Sequence, residues 1–382
     1  MPRKGENIYK RKDGRWEGRY IKDRTPDGKA IYGYLYARSY RDLKAKMIAN
    51  KPKATISEKK ETVAPEKNIM FGELADMWLN TAKIKIKEST YVKYNNLLNA
   101  YILPELKDLH IQDLSYSRIE EFANKLLTCG GKKKTGLSAK TVNDSISLIR
   151  TILRYAQNHG IPINSFGNGI AMKCQAKELC VLSLSEQKNL CGYLMENMDS
   201  KNLGILICLL TGLRIGEICA LRWEDISLSE KSLYVHSTLQ RIQDLSDDNP
   251  RKTKISISSP KSQCSIRTIP LTDDIVSLIF TVFPNQSGFV LTGDDKCFVE
   301  PRSMQNHFKS VCIAASISKV NFHALRHTFA TRCIEVGFDV KSLSEILGHA
   351  NVTITMNRYV HPSMDVKREN MSKLADLFAV NN

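Results

Sequence analysis

Residues 202–226 read NLGILICLLTGLRIGEICALRWEDI, an apolar helix joined by a glycine turn to a second helix that opens at an arginine. The second helix has a predicted core face formed by Ile215, Ile218, Cys219 and Leu221. A guanidinium at the start of a buried helix is costly unless it meets an anion. Arg214 therefore either pairs with Glu217 or Asp225, or holds the non-bridging oxygens of a phosphate in a fork.

Residues 321–337, NFHALRHTFATRCIEVG, predict a helix with one buried face that ends at Gly337. His323 and Arg326 are three positions apart, so they share a face and place a proton acceptor beside a second guanidinium. His323 and His327 also have the spacing of a metal-binding pair. Because the HExxH glutamate and an acidic third ligand are missing, we predict no metal at this pair. We also expect no cofactor.

The stretch SLSEILGHANVTITMNRYVH, residues 342–361, predicts two short helices separated by a glycine. Ser342 and Glu345 form a predicted capping box for the first helix, which stops at Gly348. His349 follows the stop directly, and the second helix is predicted to begin at Thr353. Tyr359 lies in the second helix. A single tyrosine in such a setting is most often a packing residue. A catalytic role for Tyr359 is suggested only by the other motifs of the sequence.

Residues 258–271, SSPKSQCSIRTIPL, predict a turn followed by a strand, with Lys261 on the turn. Most exposed lysines have no specific role, and Lys252 and Lys254 are nearby alternatives for any role that a lysine has here.

Together these motifs resemble the six-residue signature of the tyrosine recombinase, or phage integrase, family. The matching positions are Arg214, Lys261, His323, Arg326, His349 and Tyr359. Residues 69–173 are similar to the family's helical core-binding domain. Residues 1–50 resemble the arm-binding domain of conjugative-transposon and prophage integrases.

The resemblance implies a reaction. Tyr359 would attack a DNA phosphate, expel a 5′ hydroxyl and form a 3′-phosphotyrosine ester without ATP or a metal. The two arginines would neutralise the phosphate oxygens, Lys261 would protonate the leaving oxygen, and His349 would hydrogen-bond the phosphate. His323 would either accept the tyrosine proton or position the phosphate.

The whole chain predicts a multidomain α+β fold. We expect an arm-type DNA-binding domain at 1–50, a linker at 51–68, a helical core-binding domain at 69–173 and a catalytic domain at 174–382. The first domain should be a small three-stranded sheet plus a helix, the second all-α, and the third mainly α with a small antiparallel sheet. Helix N-caps are predicted at Ser89, Ser117, Ser138 and Ser185, and a helix stop at Gly160.

Positive charge is concentrated near the N-terminus. The chain has a net charge of +16, and residues 1–60 hold 18 basic and 7 acidic residues. This excess suggests a polyanion partner, since each cation near a phosphate releases condensed counterions, although a merely solvated surface is the alternative. On one sheet face, aromatic side chains would alternate with the basic residues Lys10, Lys12, Arg15, Arg19 and Arg38. Such aromatic side chains are more often part of a core than in contact with bases.

Ten cysteines are scattered without a CxxC pair, several of them in apolar helical patterns, including Cys208, Cys219 and Cys333. Buried free thiols are therefore predicted rather than disulfides or a zinc site. The sequence has no apolar run of about 18 residues, and the start MPRKGENIYKRK leads into further charge. We expect a cytoplasmic, nucleoid-associated protein with no membrane partner.

Three functions remain open. The first is an integrase that also excises a mobile element, acting as a homotetramer on the core and arm sites of double-stranded DNA with an excisionase and host DNA-bending proteins as helpers. The second is a topoisomerase IB-like enzyme that nicks and reseals alone. The third, a catalytically silent DNA-binding regulator, is disfavoured by the intact signature. A C-terminal helix that docks on a neighbour or on its own domain is predicted from Met371, Leu374, Leu377 and Phe378.

Overall fold

The computed structural model describes residues 7–11, 13–24, 30–49, 69–131, 133–163, 170–174, 179–245, 252–260, 262–283, 287–360, 367–368 and 371–372. The linker predicted at 51–68, Lys12, Lys261 and most of the predicted C-terminal helix lie outside these residues. The chain divides into two compact units, Met1–Asn68 and Ile69–Asn382, and each is described by itself. In the described part of the chain, no helix is both long and apolar enough to cross a membrane.

The smaller unit is an antiparallel sheet in the order β1 (Ile8–Lys10), β2 (Trp16–Arg24) and β3 (Ala30–Ala37), followed by helix α1 (Tyr40–Ala49). The predicted sheet and helix are therefore both present. Gly14, in the turn after β1, has φ +84°, a left-handed conformation that glycine adopts without strain. A small apolar core lies between sheet and helix and contains Ile8, Ala37 and Leu43.

The two faces of this sheet differ. Trp16 faces the helix, where its ring centroid lies 5.3 Å from that of Tyr40. Because side chains alternate along a strand, the neighbouring positions point to the opposite face, which exposes Tyr9, Tyr32, Tyr34 and Tyr36. The tryptophan is thus partly buried against the core, and the tyrosines are surface residues.

The larger unit begins with the helices α2 (Phe71–Lys85), α3 (Glu88–Leu97), α4 (Leu103–Leu106), α5 (Tyr116–Cys129) and α6 (Ala139–Asn158). A π-helical turn, Leu98–Ile102, joins α3 to α4 just before Pro104, which has no backbone N–H to donate. These helices bury a shared core that includes Phe71, Leu98, Ile119, Ile146 and Ile152.

The helix starts follow the predictions only in part. Ser138 caps α6, since its hydroxyl accepts a bond of 3.2 Å from the Thr141 amide, and Gly160 follows that helix at φ +72°. The other predicted caps are wrong, because Ser89, Ser117 and Ser185 lie inside their helices. The N-caps there are Lys87, Ser115 and Ser183. Ser115 and Ser183 lie two residues before the predicted caps, and each hydroxyl accepts a hydrogen bond from the third amide of its helix.

The rest of this unit combines helices with two small antiparallel sheets. Its helices are α7 (Leu184–Glu196), α8 (Ser200–Thr211), α9 (Ile215–Ala220), α10 (Asp273–Val282), α11 (Pro301–Ala314), α12 (His323–Glu335), α13 (Val340–Leu347) and α14 (Val352–Tyr359). Its strands are β4 (Ile226–Ser227), β5 (Ser232–Val235), β6 (Thr238–Gln243), β7 (Thr253–Ser258) and β8 (Arg267–Pro270), arranged as β4-β5-β8 and β6-β7. As predicted, buried free thiols occur at Cys208, Cys219 and Cys333.

Helix α8 is the central helix of this part and is buried along nearly its whole length. It ends at Gly212, whose φ of +68° is left-handed. A Cβ at this position would lie 2.6 Å from the ring of Phe329 on α12, so only glycine lets the two helices approach so closely. The turn then brings Arg214 to the N-cap of α9.

Two further helix starts differ from the predictions. The N-cap of α13 is Asp339 rather than Ser342, because the aspartate carboxylate accepts a bond of 2.8 Å from the Ser342 amide. Helix α14 begins one residue before Thr353, after the N-cap Asn351. The predicted stop at Gly348 is confirmed by its left-handed φ of +64°.

Candidate active site

Two arginines distant in the sequence converge on consecutive carbonyl groups at the end of α13. Arg326 Nη2 donates to the carbonyl of Leu347 at 2.6 Å, and Arg214 Nη2 donates to that of Gly348 at 3.2 Å. His349 is the next residue. The end of α13 therefore brings three of the predicted site residues to one place.

Arg326 is 2% exposed, on the buried side of α12. Its Nη1 donates to the carbonyl of Gly212 at 2.8 Å, so the guanidinium links the ends of α8 and α13. Burial, followed by the nearby charge of Arg214, lowers the pKa of Arg326 to about 9, which leaves it cationic at neutral pH. A guanidinium has five N–H donors, so fixing two of them leaves others to meet an oxyanion.

Arg214 is held by the carboxylate of Glu217, which the sequence suggested only as an alternative to phosphate. Its Nη1 lies 2.7 Å from Glu217 Oε1, while its side chain keeps 37% of its surface exposed. Glu217 itself is 3% exposed. The pairing with Glu217 therefore fixes one edge of the Arg214 guanidinium and leaves part of the side chain at the surface.

Arg267, on β8, is a supporting residue that the sequence did not single out. Its Nη2 lies 2.9 Å from Glu217 Oε2, and its Nε donates to the carbonyl of Ile346. Burial raises the pKa of Glu217, but the hydrogen bonds and charges of Arg267 and Arg214 outweigh that effect and leave the pKa below its ordinary value. Glu217 is thus an anion shared by two arginines, and it ties β8 and α13 to α9.

His323 opens α12 with part of its ring at the surface. Removal of the rest from water, together with the cations Arg326, Arg358 and Arg214, lowers its pKa to about 4. The ring is therefore neutral at neutral pH. A cleft of about 390 Å³ opens beside it and is lined by Leu213, Ile215, Gln305, Lys309, Val320, Asn321 and Phe322.

His349 is half-buried, and its Nδ1 lies 2.8 Å from the hydroxyl of Thr355 on α14. Burial, followed by the charges of Arg326 and Arg214, lowers its pKa to about 4. The contact with Thr355 fixes the orientation of the ring, which leaves Nε2 as the nitrogen that can meet a ligand.

Tyr359, the last residue of α14, is 7% exposed. Its ring packs in an apolar cluster with Ala330, Cys333, Leu343 and Leu347. Burial raises the pKa of the phenol, and the charges of Arg326, Arg358 and Arg214 oppose this rise without cancelling it. The phenol is therefore protonated at neutral pH, and the cations that would stabilise a phenolate are already nearby.

The hydroxyl of Tyr359 lies 2.8 Å from Nδ1 of His327. The sequence suggested His327 only as half of a metal-binding pair. The sequence signal that could have identified His327 is its position directly after Arg326. Consecutive residues of a helix lie close together, so His327 is near the predicted site on α12. No group of three or more metal-ligating side chains occurs among the residues that the structure describes.

Lys261 lies outside the described residues, but the two residues before it do not. Lys87, the N-cap of α3, donates from Nζ to the carbonyls of Ser259 and Pro260 at 2.7 and 2.8 Å. Glu88, the next residue, pairs with Lys254 on β7 at 2.7 Å. The N-terminus of α3 therefore holds the turn that leads into the predicted lysine.

Two family models match this chain. The phage integrase family matches residues 182–365, and the phage integrase N-terminal SAM-like domain matches residues 70–127. A helix-rich domain with small antiparallel sheets that matches the phage integrase family is the catalytic part of an enzyme that cuts and rejoins DNA strands. The chain belongs to the phage integrase family of tyrosine recombinases, and its activity is site-specific recombination.

Relatives cover most of the chain. It is 27% identical over 341 residues to a tyrosine recombinase XerC-like protein of Caldanaerobacter subterraneus subsp. tengcongensis, which covers 81% of this chain and 84% of the relative. It is 23% identical over 331 residues to the ICEBs1 integrase of Bacillus subtilis, with 83% and 86% covered.

Solved structures share the fold. The integrase of transposon Tn1549 in complex with transposon right end DNA superposes with a TM-score of 0.65 at 22% identity, covering 80% of this chain and 100% of that one. A lambda integrase dimer bound to a COC′ core site gives 0.55 at 17% identity, covering 92% and 94%. The predicted mixture of helices and small antiparallel sheets is thus confirmed.

Proposed function

We propose that this recombinase integrates and excises a mobile element by cutting double-stranded DNA through a covalent bond between Tyr359 and a 3′ phosphate. The observation that carries the proposal is the convergence of Arg214 and Arg326 on adjacent carbonyls at the end of α13, close enough for both charges to act on the Tyr359 phenol. A phosphodiester at this point would meet a nucleophile and two cations at once.

In the proposed reaction the phenol oxygen bonds to phosphorus as the bond from phosphorus to the 5′ oxygen breaks. Arg214 and Arg326 offset the charge that develops on the non-bridging oxygens. Because one ester replaces another, rejoining needs no external energy source. The 5′ hydroxyl of a partner duplex then attacks the phosphotyrosine and completes the strand exchange.

The remaining signature residues have supporting roles in this proposal. His349 donates a hydrogen bond from Nε2 to a phosphate oxygen, since Thr355 already fixes its other nitrogen. His323, partly exposed at the start of α12, positions the phosphate. Lys261 is the general acid that protonates the leaving 5′ oxygen, and Lys87 supports its turn.

We propose that the chain works in the cytoplasm as a homotetramer, with residues 1–50 binding arm sites, residues 69–173 binding core sites and residues 174–382 performing catalysis. Its fold neighbours support the assembly, because lambda integrase has been solved as a tetramer bound to a Holliday junction. An excisionase and host DNA-bending proteins would then set the direction of the reaction.

Incubation with DNA from the ends of the host element, followed by a denaturing gel, tests the proposed nucleophile. We expect a protein-linked 3′ end with the wild-type chain and none with Tyr359→Phe, which should bind DNA equally well. Tyr234→Phe, at an exposed tyrosine on β5, is the matched control and should form the adduct. An adduct on Tyr359→Phe would reject the assignment of the nucleophile.

A second measurement separates recombination from the topoisomerase-like alternative. Two duplexes with different labels should exchange strands when both carry the site. Relaxation of supercoils without any exchange between the labelled duplexes would favour the enzyme that nicks and reseals alone.

A further inference from the structure

The hydrogen bond between Tyr359 and His327 is the closest polar contact that the structure gives to the nucleophilic oxygen. The hydroxyl lies 2.8 Å from Nδ1, and both side chains are buried. Among the described residues, no hydrogen bond joins Tyr359 to His323, whose ring is partly at the surface. The residue placed to receive the phenolic proton is therefore His327.

We propose that His327 is the general base of the cleavage step and accepts the proton of Tyr359 on its Nδ1. This inference rests on the proposed function, because it assigns a partner to the nucleophile named there. It also separates the two histidines of α12, with His323 facing the phosphate and His327 facing the phenol.

The proton balance of the step is simple. As the bond from Tyr359 Oη to phosphorus forms, the phenolic proton passes to His327 Nδ1 and the bond from phosphorus to the 5′ oxygen breaks. The general acid supplies a proton to that 5′ oxygen. In the rejoining step the general acid, left deprotonated by cleavage, takes the proton of the incoming 5′ hydroxyl. As the 5′ oxygen bonds to phosphorus, the bond from phosphorus to Tyr359 Oη breaks, and His327 returns its proton to the phenol oxygen.

The surroundings of His327 support this assignment. Burial, the His323 ring 4.4 Å away between centroids, and the cations Arg358 and Arg326 lower the pKa of His327 to about 4. The free ring is therefore neutral at neutral pH, and Nδ1 can accept the phenol hydrogen bond when Nε2 carries the ring proton. A phosphate anion arriving beside these cations offsets their charge, so the proton affinity of the ring rises as substrate binds.

Apolar packing keeps the contact in place. Tyr359 is packed among side chains of α12 and α13, and its ring centroid lies 5.7 Å from that of His327. A base fixed within hydrogen-bond distance of its proton before substrate binds needs little rearrangement during the reaction.

His327→Asn provides the direct test, because an asparagine oxygen can still accept the phenol hydrogen bond but cannot take up the proton. Single-turnover cleavage should be measured on nicked DNA that traps the covalent adduct. We expect unchanged DNA affinity and an adduct rate lowered on the order of 10²-fold or more, within the range of general base catalysis. His307→Gln is the matched control, because His307 is also partly buried, has a lowered pKa and lies 2.8 Å from a single partner, Asn202.

Replacing Tyr359 with fluorotyrosine distinguishes a base from a packing residue. Fluorine lowers the pKa of the phenol, so the fluorinated chain should recover much of its adduct rate in the His327→Asn background and change little in the wild type. Adduct formation by His327→Asn within about threefold of the wild-type rate would overturn the proposal. So would a slow His327→Asn chain that fluorotyrosine does not accelerate. In both cases the loss of the adduct in Tyr359→Phe would leave the proposed function standing.

Discussion

The two units of this chain place their arginines in opposite environments. On the outer face of the N-terminal sheet, Arg19 is exposed, and its guanidinium lies 3.5 Å from the centroid of the Tyr32 ring. In the larger unit Arg326 and Arg267 are only 2% and 8% exposed, and their N–H groups donate to carbonyls or to Glu217. The first arrangement can adapt to a ligand surface, whereas the second is fixed before a ligand arrives.

This difference fits the roles proposed for the two sets of arginines, catalysis in the larger unit and DNA binding on the sheet. A charge that develops in a transition state is best stabilised by donors that are already oriented, because reorienting them during the reaction costs free energy. Burial makes that orientation costly unless every buried charge has a partner, and Glu217 with the carbonyls of Gly212, Ile346 and Leu347 supplies those partners. Contacts with a DNA backbone need only proximity, so an exposed sheet face suffices.

Among the changes that test this contrast between arginines, the largest effect is expected from Arg326→Lys. A lysine ammonium cannot reproduce the fork that holds Gly212 and Leu347 while other N–H groups meet the phosphate. We expect the rate of adduct formation to fall by about 10²–10³-fold, the cost of losing one oriented oxyanion donor. Single-turnover cleavage at saturating DNA measures it.

Arg332→Lys is the control for this change. Arg332 lies on the same helix and also donates to a backbone carbonyl, that of Leu182 at 2.7 Å, but it pairs with Glu335 rather than contacting the end of α13. Its adduct rate should stay near that of the wild type. Equal losses of adduct rate in the two variants would show that replacing any arginine of α12 slows the reaction. The fixed position of Arg326 would then not explain its role in catalysis.

A second test addresses stability. Arg267→Met leaves the buried Glu217 carboxylate with one cation fewer, and breaking such a pair costs about 3–5 kcal/mol in the free energy of unfolding. Arg241→Met removes the partner of Glu300 at a more exposed site, where a pair contributes only about 0–1 kcal/mol. Urea unfolding of both variants should reveal the difference, and similar losses would place the Glu217 network among ordinary surface pairs.

The same network fixes the sign of a pH effect. The folded-state pKa of Glu217 is lowered, so its contribution to stability is present above its unfolded-state pKa and is lost as the pH falls through the folded-state value. The stability gap between wild type and Arg267→Met should therefore be complete at neutral pH and narrow in acid. A gap that widens in acid would contradict the assignment of Glu217 as the shared anion.

The parts of the site that could be predicted from the sequence are those with local signals. Arg214 follows a helix-ending glycine, and His349 follows another, so their placement at helix termini was visible in the chain. The partnerships were not visible, because they join residues that are distant in the sequence. Arg267 and Glu217 are 50 residues apart, and His327 and Tyr359 are 32 apart.

The helix starts show the same limit at shorter range. Ser115 and Ser117 have the same cap chemistry, and only the direction from which the preceding chain enters the helix decides which of them caps α5. The sheet shows it in another way. Alternation along β2 and β3 predicted two faces but not which one α1 covers. The packing of Trp16 against the core and the exposure of the tyrosines are therefore visible only in the fold.

The smallest effect is expected on the outer sheet face. Arg19→Leu should weaken binding to arm-site DNA only a few-fold and reduce the slope of log affinity against log salt by about 0.9, the value for one lost phosphate contact. Arg41→Leu is the control, because this substitution removes the same charge from another exposed position. Arg41 lies on α1 rather than on the tyrosine face of the sheet. Fluorescence anisotropy over a range of salt concentrations measures both. If the two variants lost the same slope, net charge alone would account for binding, whereas a loss confined to Arg19→Leu would identify the tyrosine face as the surface that meets the phosphates.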